Sequence, residues 1–148
     1  MKYNLESRSI HIFNEEYQIK NEQGIILDFK NHSYLWDIYS DFSPKQVILK
    51  AAQVGFSTLA ILKTLWLSKY KGMDVIYILP TNSDVVDFAG GKVNRIIAQN
   101  PIFQQWVKDK DSVEQKRVGD HVIYYRGSWT AKAALMVSSD LNVMAEED

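Results

Sequence analysis

The most constraining feature of the sequence is a short apolar segment followed by a loop, a long apolar helix pattern and a second apolar segment. Residues 46–49, which are apolar after Gln46, and residues 75–79, which are continuously apolar, are rich in β-branched side chains, as buried parallel strands are. Between them, residues 56–70 carry apolar side chains on most sides of a helix, which predicts a buried helix ending near Gly72. Strand and helix in alternation predict an α/β fold with a mainly parallel sheet.

The flanking segments predict further helices and then a change to strands. Residues 34–39 have apolar side chains at helical spacing. Ser83 is placed to cap a helix running to about residue 100, and Pro101 opens another. Residues 113–125 alternate with period two around a central turn, which predicts a β-hairpin, and residues 141–145 predict a last strand.

Composition excludes several classes of protein. The chain has 148 residues, of which 46% are hydrophobic and 24% charged, so a disordered chain and a fibrous repeat are excluded. The net charge of -1 gives no strong overall basic field of the kind that nucleic-acid-binding domains carry, and leaves a local basic patch open. The absence of cysteine excludes a disulfide scaffold and a thiol nucleophile, and the three histidines have no metal-ligand spacing. No apolar stretch approaches the roughly 20 residues that span a bilayer, so we expect a cytoplasmic protein.

Two regions differ in their pattern. Residues 1–33 are polar and mixed, with a short apolar run at residues 24–27, and predict an N-terminal strand or hairpin extension. Residues 34–148 contain the alternating strands and helices and form the predicted core domain.

A strand, a glycine-containing loop and a helix that starts with a hydroxyl residue form the layout of a phosphate-binding P-loop. The usual pattern G-x-x-x-x-G-K-[ST], aligned on Gly55, puts Lys50 at the first glycine, Phe56 at the lysine and Ser57 at the hydroxyl. Lys50 has a flexible stem and is able to fold back over the β- and γ-phosphates, while Ser57 is able to bind Mg²⁺. The alternative is a simple strand-to-helix crossover with a solvated Lys50.

Residues 49–58 resemble the deviant Walker A motif of the large terminase subunits of tailed bacteriophages. In one branch of that family the catalytic lysine stands at the start of the loop. The positions that match are Lys50, Gln53, Gly55, Phe56 and Ser57. Residues 75–81 resemble the family's second core strand, which ends in Pro-Thr, and residues 126–128 with 138–143 resemble its approach to Walker B. The resemblance covers roughly residues 30–148.

This resemblance implies a P-loop NTPase three-layer sandwich with a mainly parallel sheet, and Mg²⁺-dependent ATP hydrolysis that drives DNA into a capsid. The implied cofactors are ATP and Mg²⁺, with Ser57 binding the metal. The implied nucleotide-binding residues are Lys50, Gln53, Val54, Gly55, Phe56, Ser57 and Thr58. The implied partners are double-stranded DNA, further copies of the chain in a ring, the portal protein and a small terminase subunit. The implied location is the host cytoplasm, with no membrane.

The Walker B segment departs from the family. Aligned on Asp140 and Leu141, the metal-side aspartate falls on Ala145 and the catalytic glutamate on Glu146. Alanine is unable to orient the water shell of Mg²⁺. A shift of one residue makes Glu146 the metal-side acid and Glu147 the base. The resemblance therefore implies Glu146 as the first choice for catalytic base, with Glu147 behind it.

The family's next strand inserts between the Walker A and Walker B strands, and a nuclease domain follows. The resemblance therefore implies that residues 34–148 are an ATPase core truncated after Walker B, incomplete at its C-terminus, from a longer protein. Two alternatives remain open at this point. One is a helicase-like, DNA-dependent P-loop ATPase, and the other is a non-hydrolysing nucleotide-binding or assembly module.

Other polar and aromatic residues have two interpretations each. Asp84 and Asp87 are three residues apart on a predicted helix, where they form either a metal pair or a solvated face. Lys92 and Arg95 have a functional and a structural interpretation. In the functional one they contact DNA phosphates or a neighbouring subunit, with Arg95 as a candidate arginine finger. In the structural one they form ion pairs within the chain. Trp36 lies before the first predicted strand and either stacks on adenine or belongs to the core.

Overall fold

The computed structural model describes residues 5–28, 34–42, 56–108, 115–127 and 140–144. A 3-10 turn, Leu5–Ser7, precedes the first helix. The helices are α1 (Ile10–Tyr17), α2 (Tyr34–Ser40), α3 (Phe56–Lys71), α4 (Asn82–Val85), a π-helical segment (Val86–Val93), α5 (Asn94–Gln99) and α6 (Pro101–Trp106). The strands are β1 (Val75–Ile78), β2 (Gln115–Val118), β3 (His121–Arg126) and β4 (Leu141–Met144).

The four strands form one mixed sheet in the order β2-β3-β1-β4. β1 pairs in parallel with β3 on one side and with β4 on the other, so that Val75 lies opposite Ile123 and Leu141. β2 and β3 form an antiparallel hairpin whose turn contains Gly119 at a φ of 61°. The predicted alternation of helix and strand around parallel strands is thus present in the described part of the chain.

The hydrophobic core lies on the face of the sheet that carries Val75, Tyr77, Ile123 and Tyr125. α3 and the helical stretch of residues 82–99 contribute to this same core. Phe88 packs on Tyr77 with ring centroids 4.8 Å apart. Every residue of β1 is buried, as the continuous apolar run predicts for a central parallel strand.

Most of the locally predicted elements are confirmed. α2 matches the helical spacing of residues 34–39, and α3 ends before Gly72, which has a φ of 62°. Pro101 is the first residue of α6, and β4 covers most of the predicted last strand. The predicted strand at residues 46–49 lies outside the described residues.

The described part of residues 1–33 contains a helix that the sequence pattern did not predict, α1. It also contains a short antiparallel pairing at the predicted apolar run, with a bridge between Lys20 and Ile26 and a hydrogen bond of 2.9 Å from the Leu27 N–H to the Ile19 carbonyl. Ser9 caps α1 by accepting a hydrogen bond from a backbone N–H of its first turn. Ile10 and Phe13 are 1% exposed and belong to the main core. The segment is helical because these two apolar residues are spaced for one helix face behind a serine cap.

The helical stretch after β1 begins at Thr81 and not at the predicted cap Ser83. The Thr81 hydroxyl accepts from the backbone N–H of Asp84, and the Asp84 carboxylate accepts from the backbone N–H of Thr81. This reciprocal capping box satisfies two N–H groups at the helix start. The glycine pair that weakens the helix pattern, Gly90 and Gly91, lies within the π-helical segment.

Across the described ranges, no helix combines the length and the apolar character needed to cross a membrane.

Candidate functional site

Three parallel strands end at the same edge of the sheet. β1 leads into Leu79 and Thr81, β3 ends at Arg126, and β4 ends at Met144. The backbone N–H of Leu79 donates to the carbonyl of Arg126 at 2.8 Å, which ties two of these strand ends together. Open α/β sheets bind ligands outside the carboxyl ends of their parallel strands. This carboxyl edge is therefore where a site is expected.

The first turn of α3 carries two of the predicted nucleotide-binding hydroxyl residues. α3 has 16 residues, which span about 24 Å, and residues 72–74 connect its end to β1. Ser57 is partly exposed, and Thr58 is 5% exposed. The free N–H groups of a first helical turn favour anions.

The structure describes only part of the predicted nucleotide site. Phe56 begins α3, with Ser57 and Thr58 following in its first turn. The other predicted residues lie outside the described residues: Lys50, Gln53, Val54, Gly55, Glu146 and Glu147. Ala145 lies outside them as well.

A carboxylate that the sequence did not single out lies beside the first turn of α3. The Thr58 hydroxyl donates to Oε2 of Glu22 at 2.9 Å. Nζ of Lys92 lies 3.8 Å from the other carboxylate oxygen, Oε1. Both charged side chains are about one quarter exposed, at 24% for Glu22 and 29% for Lys92. The structural ion pair predicted as one interpretation of Lys92 is therefore present, whereas Arg95 is exposed on α5.

Glu22 is carried by a tightly constrained loop. The Asn21 side-chain oxygen accepts two backbone N–H groups of the same loop, at 2.9 and 3.0 Å, and Gly24 has a φ of 81°. The buried side chain of Asn100 donates to the carbonyl of Lys20 and accepts from its N–H, both at 2.8 Å. The turn at Asn21 and Gly24 is readable from the sequence. The contact with Thr58 is not, because 36 residues separate the partners.

Asp84 and Asp87, for which the sequence allows either a metal pair or a solvated helix face, have different surroundings in the structure. One oxygen of the Asp84 carboxylate accepts from both the backbone N–H and the hydroxyl of Thr81, at 3.1 and 2.8 Å. Asp84 thus serves the helix cap, and Asp87 is exposed two turns into the helical stretch. Within the ranges that the structure describes, no three acidic, histidine or cysteine side chains are grouped to hold a metal ion.

A cavity of about 480 Å³ lies between α1, the chain at residues 26–28 and α2. It is lined by His11, Asn14, Glu15, Gln18, Ile26, Leu27, Asp28 and Trp36. Trp36 is 47% exposed, and its ring stacks on His11, with ring centroids 3.5 Å apart and planes 7° from parallel. Burial lowers the pKa of His11, while its hydrogen bond with the Trp36 carbonyl opposes that shift. Trp36 is thus a surface aromatic in a cavity wall, and its adenine-stacking role stays a prediction.

Comparison of the chain with protein-family models, curated proteins and solved structures finds no match in any of the three.

Proposed function

We propose that this chain is the ATPase portion of a viral DNA-packaging motor, a large terminase subunit that hydrolyses ATP with Mg²⁺ to drive DNA into a capsid. One observation carries the proposal. α3 begins at Phe56 and Ser57 and leads through a three-residue connection into β1, which pairs in parallel with β4. The proposal requires the loop before α3 and the chain after β4, which carry Lys50 and Glu146, to meet at the carboxyl edge of these strands.

The arrangement of the helices supports the same proposal. α3 leads into β1 on the same face of the sheet as the helical stretch that leads from β1 toward β3. Crossovers between parallel strands share one hand, so two successive crossovers on one face move across the sheet in the same direction. β3 lies on one side of β1 and β4 on the other. The proposal therefore requires the predicted strand at residues 46–49, which lies outside the described residues, to take the β4 side, as a Walker A strand beyond a Walker B strand does.

The proposed roles follow from the chemistry of each side chain. Lys50 neutralises the β- and γ-phosphates, and the backbone from Gly55 into α3 cradles them. The partly exposed hydroxyl of Ser57 fits one ligand position of Mg²⁺, which supplies charge neutralisation when bound. Glu146 orients the attacking water, with Glu147 as the second choice. Gln53, Val54 and Thr58 complete the wall of the nucleotide site.

The proposed motor acts with partners that the family uses. These are double-stranded DNA, further copies of the chain in a ring, the portal protein and a small terminase subunit, in the host cytoplasm.

The test is a calorimetric titration with Mg-ATP of the wild-type chain and of Lys50→Ala. We expect the wild type to bind and Lys50→Ala to weaken binding at least tenfold, which corresponds to about 1.4 kcal/mol. Lys71→Ala, at the opposite end of α3, is the matched control and should bind as the wild type does. A folded wild type that binds no nucleotide, or a Lys50→Ala variant with unchanged affinity, would remove the basis of the proposal.

Ala145 favours one second candidate, a non-hydrolysing nucleotide-binding or assembly module. The two functions separate on hydrolysis, measured as phosphate release with and without double-stranded DNA. A motor with a weakened metal site gains activity in Ala145→Asp. A non-hydrolysing module binds nucleotide but releases no phosphate in either form. A helicase-like ATPase differs from both in being stimulated more by single-stranded than by double-stranded DNA.

A further inference from the structure

The cavity beside α1 contains a buried hydrogen-bond donor that the described part of the chain leaves without an acceptor. Asn14 is 9% exposed and forms part of the cavity wall. Its Oδ1 accepts from the Tyr39 hydroxyl at 2.8 Å, which fixes the orientation of the amide. Its Nδ2 is buried and has no hydrogen-bond partner among the described residues. Because buried polar groups are normally paired, an acceptor atom in the cavity would complete this site.

The more exposed part of the same cavity is negatively charged. The exposed side chains of Glu15 and Asp28 belong to its lining, and the described lining residues include no lysine or arginine. Burial lowers the pKa of His11, so the imidazole adds no positive charge to the wall at neutral pH. Two carboxylates at one cavity therefore favour a cation there.

The remaining wall is aromatic and aliphatic. The Trp36 ring stacks on His11, and Trp36 keeps 47% of its surface exposed. Tryptophan is the best aromatic partner for a cation held over its ring. Ile26 and Leu27 add aliphatic side chains that suit an alkyl chain. With a volume of about 480 Å³, the cavity has the size of a small-molecule site.

We propose that this cavity binds a small organic cation with an acyl group at its other end, the chemistry of an N-acylated diamine or aminoalkylguanidine. The carbonyl oxygen of the acyl group accepts a hydrogen bond from Nδ2 of Asn14. The alkyl chain contacts the aliphatic part of the wall. The cationic group lies by the carboxylates of Glu15 and Asp28 and against the Trp36 ring.

The experiment titrates the isotope-labelled full chain with three probes and follows the side-chain amide signals of Asn14 by NMR. N-acetylagmatine carries both groups, N-butylacetamide carries only the carbonyl, and butylguanidine carries only the cation. We expect N-acetylagmatine to bind and to shift the Asn14 signals. Each of the other two should bind at least about threefold more weakly, because each loses one set of contacts. N-butylacetamide should still shift the Asn14 signals at high concentration, whereas butylguanidine should not.

Variants of the wall test the cationic end. Glu15→Gln and Asp28→Asn should each weaken N-acetylagmatine binding about twofold to fivefold, and neither should change the binding of N-butylacetamide. Trp36→Leu should weaken N-acetylagmatine by a similar factor, with circular dichroism confirming that the variant is folded. Glu16→Gln is the matched control, because Glu16 is the next residue of α1 and does not line the cavity.

Three results would overturn this inference. The first is a wild-type chain whose Asn14 signals do not respond to N-acetylagmatine, or that binds butylguanidine equally well. The second is a loss of affinity in Glu16→Gln as large as that in Glu15→Gln, which shows only a general effect of charge. The third is tighter binding of adenosine than of N-acetylagmatine at this cavity, which assigns it to an aromatic base.

Discussion

Replacing Gly127 by alanine is expected to destabilise the protein strongly, because the residue lies directly against the start of the helical stretch after β1. A Cβ atom built at this position falls inside contact distance of the backbone nitrogen and side-chain oxygen of Asn82 and of the carbonyl carbon of Thr81. Two of these three atoms belong to the backbone. The neighbouring hydrogen bond between Leu79 and Arg126, at 2.8 Å, holds the two strand ends together.

The magnitude follows from the two ways in which the collision can be relieved. Shifting packed backbone around an added methyl group costs about 1–3 kcal/mol. Moving Thr81 also breaks the capping box with Asp84, and the loss of such a cap costs about 1 kcal/mol. Together these give a loss of about 2–4 kcal/mol in the free energy of unfolding. For a chain of this size, that lowers the melting temperature by about 6–12 °C.

Urea unfolding followed by far-UV circular dichroism measures this loss. Gly91→Ala is the matched control, because a Cβ atom there meets nothing within 4 Å and the residue lies within helix. It should be neutral or raise stability by up to about 1 kcal/mol. If the free energy of unfolding of Gly127→Ala lies within about 0.5 kcal/mol of the wild-type value, β3 does not end against this helix start. The carboxyl edge as described would then be incorrect.

Three further perturbations test other parts of the structure. Thr81→Ala should lose about 1 kcal/mol in urea unfolding, whereas Thr81→Ser, which keeps the hydroxyl, should lose much less. Lys63→Met removes hydrogen bonds of 2.9 and 2.7 Å to carbonyls at the end of α2, and it should cost about 1–2 kcal/mol while leaving α3 helical by circular dichroism. Burial lowers the pKa of His11 against the opposing effect of Asp37, so the unfolded chain binds a proton more readily than the folded one. The wild type should therefore lose stability as the pH falls below about 6.5, and His11→Phe should flatten that part of the pH–stability profile; an unchanged slope would contradict the assignment.

Local patterns in the sequence are sufficient to predict the elements that bury one face or both. The spacing of apolar residues, Gly72 and the turn at Gly119 predict α3, β1 and the β2–β3 hairpin. Each of these signals lies within or next to the element that it predicts. The cap at Thr81 was also readable, since Thr81 and Asp84 form the threonine-to-acid spacing of a capping box. The prediction of Ser83 as the cap is wrong, because the residue three positions after Ser83 is Val86, which cannot complete a capping box.

The N-terminal segment contains one helix that the local pattern does not predict. The apolar run at residues 24–27 pairs with Lys20 through Ile26, but the buried apolar residues of this region are Ile10, Phe13 and Ile19. Ile25 and Ile26 remain 59% and 48% exposed. Which apolar residues enter the core depends on the docking of α1 against α6, where the ring centroids of Phe13 and Trp106 lie 5.2 Å apart. Tertiary packing, and not apolar character alone, decides which residues of this segment are buried.

The sequence by itself determined the helix that starts at Phe56, the buried strand that follows it and the phosphate-loop hypothesis that depends on both. Only the tertiary structure set β4 beside β1 and brought Glu22 between Thr58 and Lys92. The physical reason is one of range. Helix periodicity, capping and strand alternation are set by neighbours along the chain, whereas a carboxylate reaches a residue 36 positions away only after the core has packed the intervening elements together.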